Sequence, residues 1–312
     1  MRIMVTGGAG FIGSHVADAY LAAGHEVLVL DALWEHGGGR RQNVAQRALF
    51  VHMDIRDEAI TRIFQEFKPE IVSHHAAQAS VAISSRDPIY DAQVNVVGLL
   101  NVLENSVRYG VKKIIYASSG AIFGTPERLP MNERTPQRPE SPYAVTKLAG
   151  EHYLRFYQTE RGLDFTSLRY GNVYGSRQDP NGEAGVIAIF IGKFLGREDV
   201  RIDSDGEQTR DYVYVRDVAD ANIASLERGS GGMYCIGTNK RASVNELYRQ
   251  LCEVAGFEPP IVHAPKRPGD PRDAQFDYAL AKKELGWEPR TQLRDGIRET
   301  YEYFKDLLPV SR

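Results

Sequence analysis

Tyr143 and Lys147 stand four residues apart in Tyr143-Ala144-Val145-Thr146-Lys147. That spacing stacks two side chains on one face of a helix. An ammonium beside a phenol favours the phenolate, which is a competent base for proton transfer. Bringing a tyrosine hydroxyl from its ordinary pKa of about 10 to neutrality takes roughly 4 kcal/mol. One ammonium at about 4 Å supplies that at an effective dielectric near 20, but only about 1 kcal/mol in bulk water. The pair therefore makes a base only inside a sheltered cleft. Ser141-Pro142 suits a helix start just before it, and Ser118-Ser119 closes a strand-like run about 25 residues upstream.

A second constellation opens the chain. Gly7, Gly10, Phe11, Ile12 and Gly13 follow a short apolar run and lead into a helical pattern with G-x-x-G-x-x-G spacing. Glycines allow a sharp turn and let a pyrophosphate approach main-chain N–H groups at a helix N-terminus. Asp31, 18 residues beyond Gly13, ends the next strand-like run, where an acid binds adenosine ribose hydroxyls and repels a 2′-phosphate. These features predict a bound dinucleotide, NAD rather than NADP, with Asp54 and Ile55 flanking the adenine. A nicotinamide cation would also add to the effect of Lys147 on Tyr143.

The elements that must carry these residues follow from periodicity. Strands are expected at Arg2–Thr6, Glu26–Leu30, Ala48–His52, Ile71–His74, Lys113–Ala117 and Phe165–Arg169. Helices are expected at Ser14–Ala23, Asp57–Phe67, Ala92–Tyr109 and Tyr143–Glu160. Strand–helix alternation implies a Rossmann-type α/β fold, a doubly wound parallel sheet covered on both faces. Residues 1–170 are read as the NAD-binding domain, to which the chain returns at about 212–236. Residues 171–312 are read as a smaller, mixed substrate-binding subdomain capping its cleft, with helices at Val186–Leu195, Ser243–Val254, Ala279–Leu285 and Leu293–Leu307.

The chain has 312 residues, with 38 Lys plus Arg against 41 Asp plus Glu, so the basic excess of a nucleic-acid reader is missing. No apolar run approaches the roughly 18 residues needed to cross a bilayer. The first glycine of the turn comes too early to leave room for an apolar leader, and the two cysteines lack metal-ligand spacing. A cytoplasmic protein without nucleic-acid, membrane or metal partners is expected.

Taken in order, T-G-x-x-G-x-x-G, Asp31, Ser119 and Tyr143/Lys147 resemble the extended short-chain dehydrogenase/reductases, and more narrowly the nucleotide-sugar 4-epimerases of the UDP-glucose 4-epimerase type. Further matches are His75-Ala76-Ala77-Gln78, Asn95, Ser118–Gly124, Arg169–Gly175, Gln208–Tyr212 and Arg267-Pro268-Gly269-Asp270. The resemblance implies that Gly7, Gly10, Phe11, Ile12, Gly13, Asp31, Asp54, Ile55, Ala76, Ala77, Gln78, Asn95, Tyr143 and Lys147 bind NAD. It implies that Tyr143 takes the proton of a UDP-hexose 4-hydroxyl, Ser119 hydrogen-bonds the same oxygen, and Lys147 holds the nicotinamide ribose. The 4-keto sugar then turns about its diphosphate, so NAD is regenerated each turnover. Asn172, Arg210 and Arg267 correspond to diphosphate and nucleotide contacts, Asp270 falls in the same segment, and Ala274 corresponds to the position that gates sugar size. The family also implies a homodimer through helices Ala92–Tyr109 and Tyr143–Glu160.

Departures narrow the reading. Gly120 and Ala121 stand where sugar 4,6-dehydratases carry an acid, which argues against water loss and mildly against a glucuronate substrate. Ala32, Trp34 and Gly37-Gly38-Gly39 replace the usual sequence after the ribose acid. A glucuronate 4-epimerase or another nucleotide-sugar oxidoreductase is the alternative within the family. A non-catalytic NAD-binding regulator is the alternative outside enzymes, opposed by the retention of Ser119, Tyr143 and Lys147. Among other residues, His74 and His75 read as core packing, Asp54, Asp57 and Glu58 as helix capping, and Arg40, Arg41 and Arg47 as a solvated basic run that could favour NADP.

Overall fold

The computed structural model describes residues 1–34, 37–180, 185–265 and 272–307. Along the chain come β1 (Arg2–Thr6), α1 (Phe11–Ala22), β2 (Glu26–Asp31), β3 (Leu49–His52), α2 (Ile60–Phe67), β4 (Ile71–His74), α3 (Val81–Arg86) and α4 (Pro88–Ala92). A π-helical segment, Gln93–Gly98, leads into α5 (Leu99–Arg108), then β5 (Lys113–Ser119), α6 (Pro142–Arg161) and β6 (Asp164–Tyr170). The remainder is β7 (Asn172–Tyr174), α7 (Val186–Leu195), β8 (Val200–Asp203), β9 (Thr209–Arg210), β10 (Tyr212–Tyr214), α8 (Val215–Ala224) and β11 (Gly232–Ile236). It ends with β12 (Ala242–Ser243), α9 (Val244–Ala255), β13 (Ile261–Ala264), α10 (Ala279–Leu285) and α11 (Leu293–Asp306).

Seven parallel strands form one sheet in the order β11-β6-β5-β4-β1-β2-β3. The central strands read as near-continuous apolar runs because both faces are covered. On one face Val16, Tyr20, Val218 and Trp287 build the core from α1, α8 and the C-terminal segment. On the other, Phe64, Val102, Leu103 and Leu154 build it from α2, α5 and α6. This is the expected Rossmann-type architecture. Between β1 and β4 the strand order reverses, and in such sheets the crevice at the strands' carboxyl ends is where ligands bind.

Beyond β6 the described strands other than β11 form two-stranded pairs: β10 with β7, β12 with β9, and β13 with β8. Phe190, Ile191, Phe194, Leu247 and Tyr301 pack into a third core beside them. Within the stretch 212–236, α8 packs on α1 and β11 enters the main sheet, whereas Tyr212–Tyr214 pairs with β7 instead. No helix among the described residues is long and apolar enough to cross a membrane.

Three expected helices differ, the one expected from Ser14 beginning instead at Phe11, directly after the glycine turn. The one expected from Asp57 begins at Ile60, because the Asp57 carboxylate accepts from the Ala59 N–H at 2.8 Å and forms a turn. The one expected over Ala92–Tyr109 is broken by the π-helical segment, in which Asn95 exchanges hydrogen bonds with the Gln78 backbone. Gly98 then presses on Ile55, whose Cδ1 would lie 2.6 Å from any added Cβ.

One ion pair is sealed into the sheet. Arg169 on β6 and Glu151 on α6 are each about 1% exposed, joined by hydrogen bonds of 2.8 and 3.0 Å, and Ser167 adds a third to Glu151. Removing one partner strands the other's charge, so Glu151→Gln should cost about 3–5 kcal/mol in urea unfolding. Near-wild-type stability would mean that the guanidinium finds other acceptors.

Candidate active site

Helix α6 sets the chemistry. Its N-cap Ser141 accepts from the Ala144 N–H at 3.2 Å, Pro142 occupies the first turn, and Gly162 ends it in the left-handed region. Tyr143 therefore lies in the first turn and Lys147 one turn on. The helix lies close over β5: a Cβ on Gly150 would fall 2.3 Å from the Tyr116 hydroxyl, a contact only glycine permits. Lys147 is 4% exposed and donates to the Ala117 carbonyl at 2.8 Å. Its ammonium lies 5.1 Å from the Tyr116 ring centre and 5.9 Å from that of Tyr143. Ser119 ends β5 beside them, its hydroxyl also accepting from the Ala121 N–H at 3.1 Å.

The electrostatics correct the simple pairing of phenol with ammonium. Burial dominates and raises the Tyr143 phenol; hydrogen bonding from Ser119 lowers it, and the charge of Asp91 raises it. Burial also pushes Lys147 down to about 8, opposed by Asp91. Without a bound cation the pair rests as neutral phenol and marginally protonated amine. A neighbouring charge can be read from sequence, whereas desolvation cannot.

The glycine turn fits a dinucleotide. Gly7 adopts φ +70°, and a Cβ there would lie 2.5 Å from the Ala76 N; one on Gly13 would lie 2.3 Å from the Gly7 oxygen. The turn thus presses against the His75–Ala76 backbone as α1 begins, with no side chain capping that helix and its first N–H groups available to an anion. Asp31 is 9% exposed and accepts from the Ala9 N–H at 2.9 Å and the Leu33 N–H at 2.8 Å, leaving lone pairs for ribose hydroxyls. Arg40 pairs with Asp179 at 3.0 Å and Arg41 lies over the Phe50 ring, so neither is committed to a 2′-phosphate beside Asp31. Phe11 and Ile12 form the first turn of α1. Asp54 is bound by Arg56 at 2.6 Å, and Ile55 is buried beneath Gly98.

Beyond β4, Gln78 and Asn95 interlock through the carboxylate of Asp91, which sequence reading missed. Fully buried, it accepts from Gln78 Nε2 at 2.7 Å, Asn95 Nδ2 at 3.1 Å and Thr146 Oγ1 at 2.8 Å. An aspartate four residues before Asn95 in an apolar stretch was the available signal. His74 is a core residue and His75 is half-buried just beyond β4: desolvation lowers them to about 3 and about 4, and they bond Thr6 and Tyr170. The described residues contain no cluster of three or more metal-ligating side chains.

On the C-terminal side, Asn172 pairs in register with Tyr212, two residues beyond Arg210. Ala274 is buried and bonds the Thr209 carbonyl through its N–H at 3.1 Å, which brings Asn172, Arg210 and Ala274 into one neighbourhood. Phe276 was not anticipated; its ring covers Gly120, where a Cβ would meet it at 2.3 Å. Arg267 and Asp270 lie outside the described residues. The stretch after β7 folds back on the cofactor side: His15 meets the Ser176 carbonyl at 3.0 Å and Arg177 pairs with Asp18 at 2.7 Å.

Doubly wound sheet, glycine turn and Ser–Tyr–Lys set together define a dinucleotide-dependent protein of the extended short-chain dehydrogenase/reductase class. The chain belongs to the NAD dependent epimerase/dehydratase family, whose model matches residues 3–237. It is 42% identical over 313 residues to the UDP-glucose 4-epimerase of Mycolicibacterium smegmatis, covering 98% of this chain and 99% of that one. The crystal structure of the Thermotoga maritima UDP-glucose 4-epimerase with UDP-glucose is 48% identical, with a TM-score of 0.95 over 98% of this chain and 99% of its own. That of the Thermus thermophilus UDP-glucose 4-epimerase complex with NAD is 45% identical, with a TM-score of 0.93 over 99% and 100%.

Because the fold disfavours a charged Lys147, Lys147→Met should stabilise dinucleotide-free protein by about 1–3 kcal/mol while removing activity. The sign follows from a lowered lysine: the penalty is full below about pH 8 and fades as pH rises toward the ordinary lysine range. Denaturant unfolding near neutrality and near pH ~10 checks it; an equal gain at both would refer the effect to packing.

Proposed function

We propose that this chain is a UDP-hexose 4-epimerase that interconverts UDP-glucose and UDP-galactose through a transient 4-keto sugar. The observation that carries the reading is the convergence of Ser119, Tyr143 and Lys147 at the carboxyl end of β5 and the start of α6, in the fold whose β1–α1 turn fits a dinucleotide. The chemistry a bound NAD would supply is reversible hydride acceptance from the sugar together with the positive charge of its oxidised ring. Tyr143 takes the proton of the 4-hydroxyl and later returns it, Ser119 holds the same oxygen, and Lys147 binds the nicotinamide ribose and favours the phenolate.

Inversion requires the 4-keto sugar to present its other face while the nucleotide stays anchored. Asn172, Arg210 and Arg267 are assigned to that anchor, with Asp270 beside it. Gly7, Gly10, Phe11, Ile12, Gly13, Asp31, Asp54, Ile55, Ala76, Ala77, Gln78 and Asn95 are assigned to NAD. The division is accordingly a cofactor domain over residues 1–170, rejoined at about 212–236, and a substrate subdomain over 171–312. Gly120 and Ala121 supply no acid for dehydration, and a small residue at Ala274 leaves room for N-acetylated sugars. We further assign a homodimer through the π-helical segment with α5 and through α6: Val97 on the former and Val145 and Phe156 on the latter are about half exposed, apolar surface that a second copy would cover. Free Cys235 and Cys252 suit a reducing cytoplasm.

Purified protein should convert UDP-galactose to UDP-glucose with no net consumption of added NADH, and Tyr143→Phe should lower turnover by about 10²–10⁴ while UDP binding survives. Net oxidation of NADH would indicate a reductase, and near-normal turnover in the variant would remove the assigned base. Light scattering should give twice the 34.9 kDa chain mass; a monomer at micromolar concentration would exclude the interface.

A further inference from the structure

Asp91 has no place in the chemistry just described, yet among the described residues it is the carboxylate whose charge reaches both Tyr143 and Lys147. Its three donors come from three parts of the chain: Gln78 after β4, Asn95 in the π-helical segment, and Thr146 on α6 between the two reacting residues. Thr146 Oγ1 also lies 3.0 Å from the Tyr143 carbonyl, its single proton shared between that oxygen and the carboxylate, so Asp91 grips the turn of α6 that presents the phenol. The three hydrogen bonds fix where the carboxylate sits, and among the described residues Lys147 makes no ion pair.

We propose that Asp91 is a positioning residue for epimerisation, a buried counter-charge that keeps Lys147 protonated and locks the first turn of α6 against the Gln78–Asn95 segment. The proposal rests on the epimerase reading for its link to turnover. The groups facing this cluster are Lys147 and Tyr143 from α6, Tyr116 from β5, and His74 and His75 at the end of β4. Burial raises Tyr116 well above its usual range and lowers both histidines, leaving all three neutral near pH ~7. Glu151, whose charge also raises Tyr116, is held by Arg169 and Ser167, which leaves Asp91 and Lys147 as the charges that act on the reacting pair. Taking away the negative charge makes both Lys147 and Tyr143 give up their protons more readily.

Asp91→Asn tests this with little steric change. Its Oδ1 can accept from Gln78 and Asn95, and its amide can donate to Thr146 Oγ1, which keeps its bond to the Tyr143 carbonyl. Both limbs of the kcat–pH profile should move about one pH unit toward acid. The Lys147 methylene NMR resonance, assigned by its loss in Lys147→Met, should titrate lower by a similar amount. If Asp91→Asn does not fold, Asp91→Ser, which admits water in place of the carboxylate, should shift the same way. A uniform fall in kcat with the Lys147 titration unmoved would overturn the proposal. A moved titration in protein that never converts UDP-galactose would leave the counter-charge standing and refute the epimerase reading.

Discussion

The structure turns on the cost of keeping a phenol and an amine out of water. In solution both would hold their protons tightly; in this crevice the amine is brought close to losing its proton and the phenol still further from losing its own. A phenol held this way is a weak base near neutrality, and a further positive charge beside it would favour its ionised form. Apolar surroundings thus serve two ends: they withhold reactivity from the empty protein, and they magnify every charge that later enters.

Rigid parts hold this balance. Helix α6 can approach β5 only because Gly150 leaves space for Tyr116, the glycine turn can meet the backbone after β4 only because Gly7 carries no side chain, and α1 can start against that turn only because Gly13 carries none. Ser141 and Pro142 fix where α6 starts. The helix is held from below by Glu151 and Arg169 and from the side by Asp91, so the first turn that bears Tyr143 has little freedom.

Much of this was legible in the sequence. Strands buried on both faces must be apolar, so β1, β4 and β5 stood out as short runs, and the glycine spacing marked the turn between β1 and α1. Tyr143, Lys147 and Ser119 were legible because a helix start and a strand end framed them. The π-helical segment was not, since Asn95 breaks the helical pattern through a partner 17 residues away in the chain. Asp91 escaped notice because its partners converge only in the fold, and Phe276 because a ring over Gly120 leaves no trace in either local pattern. The direction of the Tyr143 shift needed the depth of the crevice, which composition and spacing do not encode.

The segment following Asn172 bears on how the cofactor is kept. Within five residues of leaving β7 it reaches across to α1, where Arg177 clasps Asp18, and Asp179 continues to Arg40 beyond the ribose acid. The lobe assigned to the sugar nucleotide and the turn assigned to NAD are thereby one mechanical unit. A dinucleotide seated at that turn would share its fastening with the substrate lobe, through two charge pairs that high salt would loosen together.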